Sequence, residues 1–316
     1  MGAQVEKVGF IGVGTMGASF ARNLQKAGYQ LVLHDANRAN AAPHLEDGAE
    51  WAESPADLAA RVSTVFTSLP GPPEFEAVVL GDNSGLITAL GEGGAIFDLS
   101  TNSPKVVRAA HEMLAERGIL LFDAPVSGGP RGAASGKCAI WVGGDESEFD
   151  ARRAPLDAMG DQVKYIGPIG AGSIAKLVHN GAGYAMQAAL GEIFTVGVKA
   201  GVDPIALWDA IRQGARGRQR SFDNLTDHYL INSYDPPDFA LKLAHKDVTL
   251  AAEMGRDLGV PMRFTNLAHA EMTEALGRGW GDRDSRAYML LQQERAGVLV
   301  DADADDIAEI MDKDDQ

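Results

Sequence analysis

The chain has 316 residues, 45% hydrophobic and 23% charged, enough for one large or two ordinary domains with proper cores. Its formal net charge of −16 repels phosphate backbones, and no apolar run reaches the roughly 18 residues of a membrane span. A single cysteine, Cys138, excludes an internal disulfide and any cysteine-based metal cluster. Met1 to Glu6 lacks the basic flank and apolar centre of a secretion signal, so a cytoplasmic protein without nucleic-acid or membrane partners is expected.

Through the first half, short apolar runs alternate with segments of helical period, the pattern of a parallel sheet covered by helices. Strands are predicted at 7–11, 30–35, 64–69, 95–99, 119–123, 138–142 and 163–166. Helices are predicted at 15–27, closed by Gly28, and at 103–117, with Ser103 as cap and Pro104 first in the helix. After Gly170 the character changes. A proline-free helix is predicted at 173–200, then helices at 204–212, 225–230, 240–258, 265–276 and 284–295, with no strand. The expected fold class is α/β: a Rossmann-type doubly wound sheet at 1–168, an all-helical domain at 169–300, and a long helix joining them. Residues 301–316 hold eight acids and one base, Lys313, and read as a solvated, frayed acidic tail.

Gly12-Val13-Gly14-Thr15-Met16-Gly17 stands where the first strand turns into the first helix. A GxGxxG string alone is weak in a chain with 37 glycines; its strand-to-helix context makes it specific. There the first glycine permits the turn, the second admits a pyrophosphate, and the third lets the helix pack on the strand. Asp35 ends the next strand 18 residues after Gly17, where an acid accepts from the adenosine ribose hydroxyls and repels a 2′-phosphate. The cofactor expected is therefore NAD. Arg38 could instead attract that phosphate, which keeps NADP open.

Gly172, Lys176 and Asn180 recur at four-residue spacing and share one face of the long helix. An isolated helical lysine is usually a solvated charge, but this stripe begins the helix that joins the two domains. The small Gly172 would admit another backbone or a nicotinamide.

With these residues the chain resembles the β-hydroxyacid dehydrogenase family, which includes 3-hydroxyisobutyrate dehydrogenase and tartronate semialdehyde reductase. The resemblance covers roughly residues 7–298 and rests on four motifs in the family's order. They are Val8-Gly-Phe-Ile-Gly-Val-Gly-Thr-Met-Gly17, Asp123-Ala-Pro-Val-Ser-Gly-Gly129, Gly170-Ala-Gly-Ser-Ile-Ala-Lys176 running to Asn180, and Lys246-Asp247 before an apolar helix. It implies Lys176 as the catalytic lysine and Asn180 as the residue that orients substrate. It also implies Ser127, Gly128 and Gly129 as the holders of the substrate carboxylate. Lys246 would lie near both substrate and cofactor, with Asp247 as its partner. Leu69, Pro70, Glu74 and Thr101 would meet the nicotinamide half of the cofactor, and Gly12 to Gly17 its phosphates. His179 is a departure, standing where many members have a second asparagine. No metal is implied.

The chemistry so implied needs these residue types. Hydride transfer to or from a 3-hydroxy acid, or reduction of its semialdehyde, requires a proton at the substrate oxygen. A desolvated Lys176 can move that proton, for a gain of roughly 10²–10⁴-fold. Two alternatives, a non-catalytic NAD(P)-binding assembly module and an imine reductase, are opposed by the retained Lys176, Asn180 and Ser127-Gly128-Gly129. Relatives of the latter kind have Asp or Tyr at the lysine position. The helical domain is expected to serve substrate binding and assembly into a homodimer or homotetramer. Arg216, Arg218 and Arg220 form either a solvated or oligomer-contacting face, or a second anchor for a substrate with a polar distal group.

Overall fold

The computed structural model of the chain describes residues 6–202, 207–208, 210–211, 213–218, 225–242, 244–245, 248–249, 252, 256, 259–297 and 299–314. Two compact units divide the chain, Met1–Ala182 and Gly183–Gln316.

In the first unit six strands lie parallel: β1 (Lys7–Ile11), β2 (Gln30–His34), β3 (Glu50–Trp51), β4 (Thr64–Thr67), β5 (Ala95–Asp98) and β6 (Leu120–Asp123). Their order across the sheet is β3-β2-β1-β4-β5-β6. Beyond β6 the sheet continues through β7 (Val126–Ser127), β8 (Ala139–Gly143) and β9 (Gln162–Gly167). There β8 runs antiparallel to β6 and β7, and parallel to β9. All seven predicted strands form, with ends shifted by one or two residues. The two-residue β3 and β7 were not predicted, because a pair of residues carries no period.

The parallel strands read as continuous apolar runs because helices cover both faces. All four residues of β4 and of β5 are buried. On one face Phe10, Phe66, Phe97 and Phe122 are register partners on adjacent strands. Their successive ring centroids lie 6.3, 5.4 and 4.5 Å apart. Such aromatic pairs each contribute about 0.5–1.5 kcal/mol beyond their burial. The other face buries Ile11, Val65, Ile96 and Leu121 under separate helices. Strand order reverses between β1 and β4, so the loops that leave their carboxyl ends diverge and open a crevice.

The first helix runs Gly17–Lys26, and Pro104–Ala115 follows β5 with proline in its first turn. Ser103 stands at that helix's cap position but makes no side-chain cap bond there. Asn102 Oδ1 instead accepts the Ser103 N–H at 2.8 Å. The long helix is Ala171–Lys199, and it runs through the division between the units. No helix among the described residues is long and apolar enough to cross a membrane.

In the second unit the helix Arg263–Gly277 packs Met272 and Ala275 on Leu241 and Leu291, with Trp280 and Tyr288 around them. The expected helices at 204–212 and 240–258 fall partly outside the described residues. Residues 226–232 form turns rather than the predicted helix. Leu230 N–H reaches back five residues to the Leu225 carbonyl, and Asn232 takes a left-handed φ of 48° that interrupts any helix. The acidic end is not frayed throughout: Ala304–Asp314 is a helix. Asp303 accepts the Asp305 N–H, and Asp305 and Asp306 in the first turn complement the positive end of the helix.

Candidate active site

The glycine loop closes the carboxyl end of β1, and each glycine has its own constraint. A Cβ on Gly12 would stand 2.3 Å from the Ser68 carbonyl oxygen, and one on Gly17 would stand 1.9 Å from that of Gly12. Side chains are impossible at both. At Gly14 nothing lies within 4 Å, so the local fold leaves that space open for a ligand. Gly12, Gly14, Thr15, Met16 and Gly17 line one cavity of about 560 Å³ together with Asp35, Leu69, Pro70 and Glu74. Val13 is buried and does not line it. The glycines, the open position at Gly14 and the size of the crevice fit a dinucleotide.

Asp35 has a second task. Its Oδ2 accepts the Val13 N–H at 2.8 Å, and its Oδ1 accepts from Asn37 N at 2.8 Å and Asn40 Nδ2 at 3.1 Å. The acid that can read a ribose therefore also pins the glycine loop. Arg38 lies over the Trp51 ring at 5.2 Å and 3.7 Å from Glu53, and it is not among the residues lining the cavity.

At the ends of β4 and β5 a fully buried acid, Asp98, gathers the neighbouring loops. Its Oδ1 accepts from Thr67 Oγ1 at 2.8 Å and Ser100 N at 3.2 Å, and its Oδ2 accepts from Asn102 Nδ2 at 3.1 Å. Ser100 Oγ in turn accepts the Leu69 N–H at 2.8 Å. Thr101, exposed between two anchored neighbours, does not line the 560 Å³ cavity. Sequence reasoning passed over Asp98. The available signal was an acid at a strand end followed by Ser100 and Asn102, the composition of a side-chain-anchored turn.

Asp123 does for β6 what Asp98 does for β5. Its Oδ1 accepts the Gly170 N–H at 2.7 Å and its Oδ2 the Ser173 N–H at 2.5 Å, which fastens the start of the helix Ala171–Lys199 to the sheet. Gly172 is small because of another backbone: a Cβ there would lie 2.2 Å from the Trp141 carbonyl oxygen and 2.6 Å from that of Asp123. One turn on, Lys176 is half-buried, and burial pushes its ammonium below the ordinary 10.5. The buried Cys138 thiol lies within electrostatic reach of it, and burial holds that thiol protonated above its ordinary value.

Cys138 links Lys176 to the segment expected to hold a carboxylate. Ser127 pairs with Ala139 across β7 and β8, and Cys138 Sγ lies 2.8 Å from where a Gly128 Cβ would stand. Asn180 follows Lys176 by four residues; its Oδ1 receives His179 Nδ1 at 3.1 Å, and the His179 ring packs on Trp141 at 5.2 Å. Ser127, Gly128, Gly129, Lys176 and Asn180 all belong to the first unit. Lys246 and Asp247 lie outside the described residues, as does Arg220. Arg216 and Arg218 are exposed on the short helix Ala215–Arg218.

Among the described residues, His228, Asp238 and Asp284 bring metal-type ligand atoms within 4.8 Å of one another. Asp284 is already satisfied, accepting from Arg286 Nη1 at 2.9 Å and from the N–H groups of Arg286, Asp238 and Phe239. His228 donates through Nδ1 to the Ser233 carbonyl at 2.7 Å. The group is a polar lock between loops of the second unit.

Comparison with known proteins matches residues 7–167 to the NAD-binding domain of 6-phosphogluconate dehydrogenase. Residues 170–291 match the NAD-binding model of NADP-dependent 3-hydroxyisobutyrate dehydrogenase. The chain is 33% identical to 2-(hydroxymethyl)glutarate dehydrogenase of Eubacterium barkeri over 93% of its own length and 97% of that protein's. It is 32% identical to mitochondrial 3-hydroxyisobutyrate dehydrogenase of Mus musculus, over 91% and 87% of the two chains. Among solved structures, Mycobacterium tuberculosis 3-hydroxyisobutyrate dehydrogenase with L-serine superposes with a TM-score of 0.63 at 26% identity, covering 92% of this chain and all of that one.

Proposed function

The chain belongs to the β-hydroxyacid dehydrogenase family, and from that premise we propose that Lys176 is the proton-transferring residue of its reaction. The protein is an NAD(P)-dependent oxidoreductase acting on the CH–OH group of hydroxy acids. When bound, the nicotinamide supplies the redox chemistry by giving or taking a hydride. What the chain itself contributes is proton transfer, orientation and charge.

The observation that carries the reading is a half-buried Lys176 whose ammonium is pushed down by desolvation, on a helix held by Asp123. A lysine so placed can give a proton to the forming alkoxide in reduction and take one from the alcohol in oxidation. Asn180 would fix the substrate oxygen, and Ser127 with the Gly128 and Gly129 backbone would hold the carboxylate. Lys246 and Asp247 would complete the site. The Gly12–Gly17 loop, Asp35, Leu69, Pro70, Glu74 and Thr101 would hold the cofactor. NAD is favoured over NADP, because Asp35 repels a 2′-phosphate and Arg38 is engaged with Trp51 and Glu53.

The substrate is a small 3-hydroxy acid or its semialdehyde. Arg216 and Arg218 are exposed on their helix, as a solvated or oligomer-contacting face is; the other reading, an anchor for a polar distal group, would favour tartronate semialdehyde over methylmalonate semialdehyde. Residues 169–300 would serve substrate binding and assembly into a homodimer or homotetramer; in the second unit Leu190, Ile193 and Phe264, each exposed, line one apolar hollow that such an assembly could cover. A cytoplasmic location completes the reading. The deciding experiment follows NADH and NADPH oxidation with a panel of aldehyde acids on wild type, Lys176→Ala, Arg216→Gln and Arg218→Gln. Turnover in wild type and its loss in Lys176→Ala support the assignment; full activity in Lys176→Ala defeats it.

A further inference from the structure

Asp98 is 0% exposed, and every group that donates to its carboxylate at hydrogen-bond distance is neutral: Thr67 Oγ1, Ser100 N and Asn102 Nδ2. Burying a carboxylate among neutral donors is costly, and an apolar residue would pack a sheet end more cheaply. Its hydrogen bonds account for its presence. Ser100 Oγ receives the Leu69 N–H at 2.8 Å, and the Ser100 backbone N–H donates to Asp98 Oδ1 at 3.2 Å, so Ser100 joins the two loops. Asp98 thereby sets the Ser100 backbone, and the Ser100 hydroxyl in turn fixes the Leu69 N–H. Leu69 and Pro70 line the dinucleotide cavity, and Thr101 sits between Ser100 and Asn102, both fastened to Asp98. One carboxylate thus holds the loop after β4 and the loop after β5 in a single arrangement.

We propose that Asp98 is a positioning residue for hydride transfer, fixing through Thr67, Ser100 and Asn102 the two loops against which the nicotinamide half of the cofactor lies. This rests on the reading above that Leu69, Pro70 and Thr101 meet that half. Asp98 touches neither substrate nor cofactor; it acts through the loops. The Gly12–Gly17 loop hangs from Asp35 instead, so the adenosine half is held independently.

The test separates the two halves. Wild type, Asp98→Asn and Ser100→Ala are titrated calorimetrically with NADH and with ADP-ribose, which lacks the nicotinamide. Asn at 98 turns an amide N–H₂ toward donors, and Ala at 100 removes the acceptor of the Leu69 N–H while leaving the buried acid in place. Both variants are expected to bind ADP-ribose within about twofold of wild type and NADH about tenfold more weakly, the scale of one or two lost hydrogen bonds. With NADH deuterated at C4, their turnover should show a larger isotope effect than wild type, because a misplaced nicotinamide slows the hydride step itself. Equal weakening toward both ligands, or unchanged NADH affinity and isotope effect, overturns the proposal. If Asp98→Asn does not fold, Ser100→Ala and Thr67→Val decide by the same split. A wild type that binds ADP-ribose no more weakly than NADH sinks the nicotinamide reading and this proposal together. A wild type that discriminates, with variants that match it, sinks this proposal alone.

Discussion

Asp123 accepts the Ser173 N–H at 2.5 Å, so the carboxyl end of β6 holds the helix three residues before Lys176. The acid is buried, and burial raises its pKa while the Ser173 and Gly170 amides oppose that rise. Removing the acceptor leaves two amides of the helix start unsatisfied in the interior. Asp123→Ala should therefore cost about 1–3 kcal/mol in stability and lower turnover more than cofactor affinity. Chemical denaturation and steady-state kinetics measure the two effects; a variant of wild-type stability would show that the bonds contribute nothing.

Lys176→Ala should lose about 10²–10⁴-fold in turnover while NADH binding persists, because the glycine loop is untouched. The direction of its pKa shift also sets a pH dependence. With the ammonium below the ordinary 10.5, reduction, which needs the acid form, should fall as pH rises through the lowered value. Oxidation, which needs the free amine, should rise through the same pH. Rate profiles in both directions check this, and limbs that survive in Lys176→Ala would assign them to another group.

Asp35→Ala removes the acceptor for the ribose and for Val13 N–H together. Its KM for NADH should rise about tenfold while that for NADPH changes less, which narrows the preference without fully reversing it. Asp35→Asn keeps one acceptor oxygen and should be milder. A wild-type preference for NADPH would contradict the reading of this corner.

Gly128 has φ 145°, and a Cβ on it would meet Cys138 Sγ at 2.8 Å. Gly128→Ala combines a rarely adopted backbone with a clash, at about 1–3 kcal/mol. The substrate KM should rise, and Cys138→Ala in the same chain should recover only the steric part. Recovery to wild type would mean that the backbone conformation carries no strain.

In the second unit the His245 and His269 rings lie 4.5 Å apart. Burial and the neighbouring His269 lower the His245 pKa below the ordinary 6.5. The unfolded chain then binds that proton more readily, so stability falls as pH drops from about 6.5 through the lowered value. Melting temperatures between pH 8 and pH 5 should decline, and His269→Gln should flatten the slope. An identical slope in the variant would clear the pair of any role.

Much of this protein is legible in one dimension. The seven longer strands, the glycine loop and the acid at Asp35 follow from local rules: apolar period, turn chemistry and the spacing of a strand, a helix and a strand. The face shared by Gly172, Lys176 and Asn180 follows from helical geometry alone. Tertiary structure decided what depends on partners distant in sequence. The strands β3 and β7 exist only because β2 and β8 offer them a ladder, and Gly172 is required by the Trp141 carbonyl, 31 residues earlier. Asp98 and Asp123 look like ordinary strand-end acids until the sheet places Asn102, Leu69, Gly170 and Ser173 around them. A buried charge takes its meaning from the groups that satisfy it, and only the folded chain brings those groups within 3 Å or so.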